Sequence, residues 1–204
     1  MRYGPTWLVF AAIAMLAPRA VQAQAAPELS SSSRFWGGGS FAVAPVGTHR
    51  WTRDGKPESS AFNTTYSLGA LFDVRALPFV SIGVAPSVNF DFQDRETLLE
   101  LPVRLTVGGD VASGVRLYAF ATAGYAHSIT FPHDNSEVDE PEAGFVAGAG
   151  GGVAVWIAPR AFMTAEIGYQ LHALTATIND DGPVDISLRL RGLTLSLGLM
   201  APFD

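Results

Sequence analysis

From Leu99 to Ile129 the chain alternates so regularly that few folds can hold it. Leu99, Leu101, Val103, Leu105 and Val107 are interleaved with Glu100, Pro102, Arg104, Thr106 and Gly108. After a short turn at Ala112-Ser113-Gly114, Val115, Leu117, Ala119, Ala121, Ala123 and Tyr125 are interleaved with Arg116, Tyr118, Phe120, Thr122 and Gly124. A period of two puts one row on each face of a pleated strand. Each arm exceeds the roughly five to six residues usual in a globular sheet. Both suit the roughly 9–11 tilted residues that cross a bilayer.

The rest of the chain repeats this hairpin. Strands are expected at 34–45, 64–76 and 80–92, with Tyr66, Leu68, Phe72 and Val74, then Val80, Ile82, Val84, Val88 and Phe90, on apolar rows. Others follow at 143–158 and around 163–172, and an eighth ends on Leu193, Leu195, Leu197 and Leu199. Turns near residues 77, 113 and 159 are tight. The connections near 54, 95, 136 and 179 include three long polar loops, 46–63, 130–142 and 173–185. Short turns at one end and longer loops at the other form the pattern of bacterial outer-membrane barrels. An open sheet would leave edges unpaired in lipid, so closure is required. Eight strands then enclose a space that side chains just fill. The expected fold class is all-β: an eight-stranded antiparallel up-and-down transmembrane β-barrel.

Alternation also fits a barrel with its apolar row inward around a ligand, as in a lipocalin. Composition separates the two. Of 13 basic residues only Lys56 is a lysine, and charged residues make up 16% against 48% hydrophobic, with a mean hydropathy of +0.22. A wet exterior needs more charge than that. The row opposite the apolar one is small, as at Gly144, Gly148, Gly150 and Gly152, which suits a narrow lumen.

Arg2, the apolar run Trp7–Leu16 and the small-residue site Val21-Gln22-Ala23 read as a secretory signal over 1–23. A polar leader over 24–33 is expected to be disordered, and the barrel occupies 34–204. Cysteine is absent, so an exported chain must draw its stability from the sheet instead of disulfides. Loss of 1–23 removes Arg2 and Arg19 and no acid, leaving 11 basic and 19 acidic residues, a net charge of −8. That balance argues against nucleic acid as a partner.

The signal and eight amphipathic strands resemble the small outer-membrane barrels: the transmembrane part of OmpA, OmpX and the opacity-type proteins. The resemblance spans residues 34–203 and is one of pattern. It implies a monomer in the outer membrane of a Gram-negative cell, in contact with lipid and lipopolysaccharide. The implied role is structural or a surface interaction through the loops, not a large-pore channel. Such barrels usually end on an aromatic residue, and here Phe203 is penultimate. A lipid A-modifying enzyme and a narrow pore are the alternatives.

The polar row carries Asp73, Arg75, Asp91, Glu100, Arg104, Asp110, Arg116 and Glu166. Buried charges in so thin a lumen must pair, since an unpaired one costs several kcal/mol. Arg104, Glu166 and Arg191 are expected to form a structural network, with Asp110 facing Arg116 near the short-turn end. The place of Arg191 rests on strand eight, where Ile186, Leu188 and Leu190 are apolar on even positions but Leu193 to Leu199 on odd ones. A bulge at Gly192 would reconcile the rows and turn Arg189 and Arg191 inward. A regular strand would leave both outside, against lipopolysaccharide phosphates. Two further expectations are local. Pro86 and Pro102 fall almost opposite each other and should interrupt the ladder. Gly152, Gly150 and Gly148 should lie across from Glu166, Gly168 and Gln170.

No catalytic set, metal cluster or cofactor motif is evident. His127-Ser128 with Glu137, Glu140 or Glu142 resembles the His–Ser–Glu site of lipid A deacylase barrels. Adjacent strand residues face opposite sides, however, and that family spaces the pair by one. The acidic segment 133–140 lacks the ligand order of a calcium loop.

Overall fold

The computed structural model describes residues 34–53, 56–62, 64–90, 96–130, 143–158, 160–179 and 183–203. The expected signal peptide and leader, Asp91 and the acidic segment 133–140 lie outside the described residues.

The strand segments are β1 (Phe35–Arg53), β2 (Lys56–Phe62), β3 (Thr65–Leu77), β4 (Val80–Val84), β5 (Ser87–Phe90), β6 (Glu96–Ala112), β7 (Val115–Thr130), β8 (Ala143–Ala158), β9 (Ala161–Asn179) and β10 (Pro183–Phe203). They make eight staves, because β2 and β3 pair with β1 in one register and β4 and β5 pair with β6 in another. Each stave is antiparallel to the next. The first, β1, pairs with both β3 and β10, so the staves close into a ring. In the turn between β6 and β7, Gly114 sits at φ +78°, a conformation that costs glycine little.

The apolar rows face outward as expected. Leu101, Val103, Leu105, Phe72, Ile82, Ile167 and Leu199 are all exposed on the barrel wall. A belt of this size has lipid as its solvent. Aromatic residues border it at both ends. Phe35 stacks on Phe203 at 6.0 Å at the short-turn end, and Tyr125 and Tyr169 stand exposed toward the other.

Beside the tight turns the register shifts at Arg75/Leu77, Asp110/Ala112 and Trp156/Ala158; away from the turns, proline sets two interruptions in the ladder. The third stave breaks at Ala85-Pro86, and the register resumes unchanged from Val84↔Val103 to Ser87↔Glu100. Ala85 N still donates to Pro102 O at 3.0 Å, and Ala70 N to Pro86 O at 2.9 Å, so the gap leaves these backbone groups satisfied. The second interruption corrects the reading of strand eight. The β9–β10 ladder is regular from Pro183 to Met200, straight through Gly192. The register shift lies in β1, between Val43 and Val46. Pro45 has no N–H for the ladder, which makes this the cheaper place for an extra residue. Outward exposure switches there from Phe35 and Phe41 to Val46, Thr48 and Arg50.

Two expected loops are strand instead. Beyond Pro45, β1 runs on to Arg53 and returns as β2, replacing most of loop 46–63. Likewise β9 reaches Asn179 and β10 begins at Pro183, within the expected loop 173–185. Once a hairpin is in register, the ladder satisfies backbone N–H and C=O groups whatever the side-chain polarity.

Candidate functional site: a layered lumen

The inward rows fill the barrel in layers. At the short-turn end Trp36, Trp156 and Phe162 form a cluster with ring centroids 5.2 to 5.5 Å apart, packed with Leu71 and Met200. These rings come from three staves, each supplied by an inward position close to a turn or terminus.

Above them lies the first polar layer. Arg104 on β6 reaches across the lumen to Glu166 on β9 in a two-pronged contact, Nη1 to Oε2 at 3.1 Å and Nη2 to Oε1 at 2.5 Å. Both side chains are less than a tenth exposed. Tyr118 donates to Glu166 Oε1 at 2.7 Å, and Ser196 to Oε2 at 3.2 Å. Arg104 Nε donates to Thr106 Oγ1 at 3.2 Å, and its guanidinium lies 4.2 Å from the Phe120 ring centroid. Fork-to-fork geometry with the remaining lone pairs filled is what lets such a pair persist out of water. Glycines make the space. A Cβ at Gly152 would fall 2.7 Å from the Tyr118 ring, and one at Gly150 would fall 2.7 Å from the Phe120 ring. The expected ladder partners hold, with Gly152 across from Glu166, Gly150 from Gly168 and Gly148 from Gln170.

The second polar layer centres on Glu100. Ser87 donates to its Oε2 at 3.1 Å and Gln170 Nε2 to the same oxygen at 2.8 Å. Asn89 Nδ2 donates to Oε1 at 2.5 Å, and His172 Nε2 lies 2.5 Å from it. Over this layer Leu98, Ala126, Val146 and Leu174 are buried together, with Leu190 packed against them.

This arrangement sorts the expected network. Arg104 and Glu166 meet. Arg191 does not join them: it is exposed on the outer wall, since Gly192 and Leu190 take the inward positions beside it. Ser196 holds the ladder place opposite Glu166. Asp110 does face Arg116 in the ladder, but no ion pair forms between them. The Arg116 guanidinium donates instead to Pro78 O at 2.9 Å and Gly108 O at 3.0 Å, nearby carbonyls that need donors. The apolar cap explains the puzzle of strand eight. Its even row turns apolar because it enters the lumen's upper layer, not because the strand changes face. Tyr118, Ser196 and the Glu100 group were open to discovery from the ladder, where Tyr118 and Ser196 fall on inward positions near Glu166. The signal needs the stagger between distant staves, which no single hairpin carries.

Chemically the lumen is occupied. All four hydrogen bonds on Glu100 and the fork on Glu166 engage their carboxylates, and among the described residues no His, Cys, Asp or Glu group could hold a metal ion. Asp73 Oδ1 and His127 Nδ1 are buried without a hydrogen-bond partner. His127 stacks with Tyr125 at 6.3 Å on the outward row, while Ser128 is buried on the inward row. The pair is split by the sheet, which is the wrong geometry for proton transfer between them.

A closed eight-stave barrel with an apolar belt outside and a packed polar lumen is a small transmembrane β-barrel of the outer-membrane kind. No protein-family model matches the chain, and no curated protein matches it. Among solved structures it is similar to Neisserial surface protein A (NspA), with a TM-score of 0.53 and 14% identity over 83% of this chain and 97% of that one. It is also similar to the outer membrane protein OprG from Pseudomonas aeruginosa, with a TM-score of 0.58 and 13% identity over 84% of this chain and 96% of that one. At such identities the likeness is one of fold, and it agrees with the resemblance carried by the strand pattern.

Proposed function

We propose that this protein is a monomeric barrel of the bacterial outer membrane that serves the cell envelope structurally or through its loop end, without conducting. The observation that carries this is the stacking of the lumen. Two hydrogen-bonded polar layers lie between an aromatic floor and an aliphatic cap. A conduit needs a continuous wet path, and this filling works against one. The scaffold presents its longer connections at one end, where binding segments held by a rigid sheet generally sit. Contact with lipid follows from the belt, and with lipopolysaccharide from the leaflet that the loop end would meet. The separation of His127 from Ser128 speaks against a deacylase. The experiment is a planar-bilayer recording beside a lipid A mass spectrum of cells with and without the protein. The expected result is silence in the bilayer and unchanged acyl chains. Steady channels would replace this reading with the pore, and a lost or added acyl chain with the enzyme.

A further inference from the structure

Three arginines stand together on the outer wall where the regular ladder of β10 leaves them. Arg189 lies directly across from Arg50 of β1, and Arg191 across from Thr48, and all three arginines are exposed. Arg189 and Arg191 are two apart on one strand, hence on the same face. Like charges directly opposite in a ladder destabilise it. The ion pairs among the described side chains are Arg104 with Glu166 and His172 with Glu100, and neither involves the trio.

Their height is informative. Leu193, one step below Arg191 on the outward row, pairs with Tyr169, an exposed residue of the aromatic border. From Leu193 down to Phe203 the strand covers the roughly 9–11 residues of a bilayer crossing. The arginines thus begin where hydrocarbon gives way to headgroups. In a chain of net charge −6, a basic patch at this level is not a matter of general composition. Guanidinium groups match phosphate oxygens in a two-pronged geometry and lose little hydration in doing so.

We propose that Arg50, Arg189 and Arg191 form a site on the barrel wall for the phosphate groups of lipid A in the outer leaflet. The anion would screen the Arg50–Arg189 repulsion and fix a lipid against the β1–β10 seam. This rests on the reading that the loop end faces outward from the cell.

The test uses the full chain in nanodiscs, with native mass spectrometry against bis-phosphorylated lipid A, its dephosphorylated form and phosphatidylglycerol. The wild type should retain the bis-phosphorylated form over both others. Arg50→Gln, Arg189→Gln and Arg191→Gln combined should reduce that retention about tenfold or more, given three charge-assisted contacts. Arg160→Gln, at an exposed arginine of the opposite end, should leave it unchanged. Heat-modifiable migration reports that each variant is folded. Equal retention by the folded triple variant and the wild type would overturn the proposal, as would equal retention of phosphatidylglycerol. A protease site inserted in 131–142 and probed on whole cells tests the orientation separately. Cleavage there with no effect of the triple variant sinks the lipid site alone, whereas protection sinks the orientation and the site with it.

Discussion

At the scale of single residues, the lumen is governed by the rule that a buried charge needs its partner more than the fold needs the pair. Arg104 and Glu166 are 62 positions apart and come from staves separated by two others, yet they share two hydrogen bonds across the lumen. Glu166→Ala should cost about 3–5 kcal/mol, because it strands the Arg104 guanidinium in a dry space. Replacing both, Arg104→Met with Glu166→Leu, should recover most of that loss, since neither charge is then left to desolvate. Urea titrations of the refolded variants in lipid vesicles would measure the two costs. A double variant as unstable as the single one would mean that the surrounding donors, Tyr118 and Ser196, carry the stability.

At the scale of elements, small residues on one strand are the complement of large ones on its neighbour. The run Gly148, Gly150, Gly152 on β8 accepts Tyr118 and Phe120 from β7, and a Cβ at Gly152 would also press within 2.9 Å of Ala165 O. Gly152→Leu should therefore abolish folding, while Val153→Leu, on the lipid-facing row next to it, should leave the yield within about twofold because lipid tails accommodate the added methylene. The yield of the heat-modified band on unboiled gels compares the two, and equal yields would contradict the lumen assignment. The bulge at Pro45 belongs to the same scale. Deleting Pro45 removes the extra residue in β1, so either Phe41 and Phe35 or Thr48 and Arg50 must turn to the wrong face. The expected outcome is loss of the heat-modifiable form, and a deletion that folds normally would show that Val46 or Ala44 can take over the shift.

At the scale of the whole molecule, closure is the property that makes the barrel viable in lipid, and it rests on β1 pairing on both sides. Phe41 faces Leu197 across one seam and Leu68 across the other. The chain has no cysteine, so engineered pairs report without interference. Phe41→Cys with Leu197→Cys and Phe41→Cys with Leu68→Cys should each cross-link in the folded protein, since directly opposed residues lie within disulfide reach. Phe41→Cys with Leu193→Cys, four residues along the strand, should not. Cross-linking at only one seam would indicate an open sheet. Mobility on non-reducing gels, reversed when reductant is added, distinguishes these outcomes.

The period-two rows by themselves determined the strand type, the lipid-facing side and the even stave count. The turn positions determined ladder partners as fine as Gly152 opposite Glu166. These follow locally, because a hairpin's register is set by its turn and a strand's faces by its pleat. Arg104 and Glu166 were legible as members of a lumen network, but not as a pair to themselves, because Asp73, Glu100 and Arg191 competed for the same places. What only the tertiary structure decided is where the mismatch between rows is absorbed. Leu190 and Gly192 look the same in sequence whether β10 bulges or its neighbour does. The choice fell to Pro45 because that residue has no N–H to lose from the ladder. It also depended on Leu98, Ala126, Val146 and Leu174 meeting Leu190 inside the barrel, a contact among five staves set by the stagger of the closed sheet. That contact sends Arg189 and Arg191 to the outside, because a strand with a period of two can offer the lumen only one of its rows.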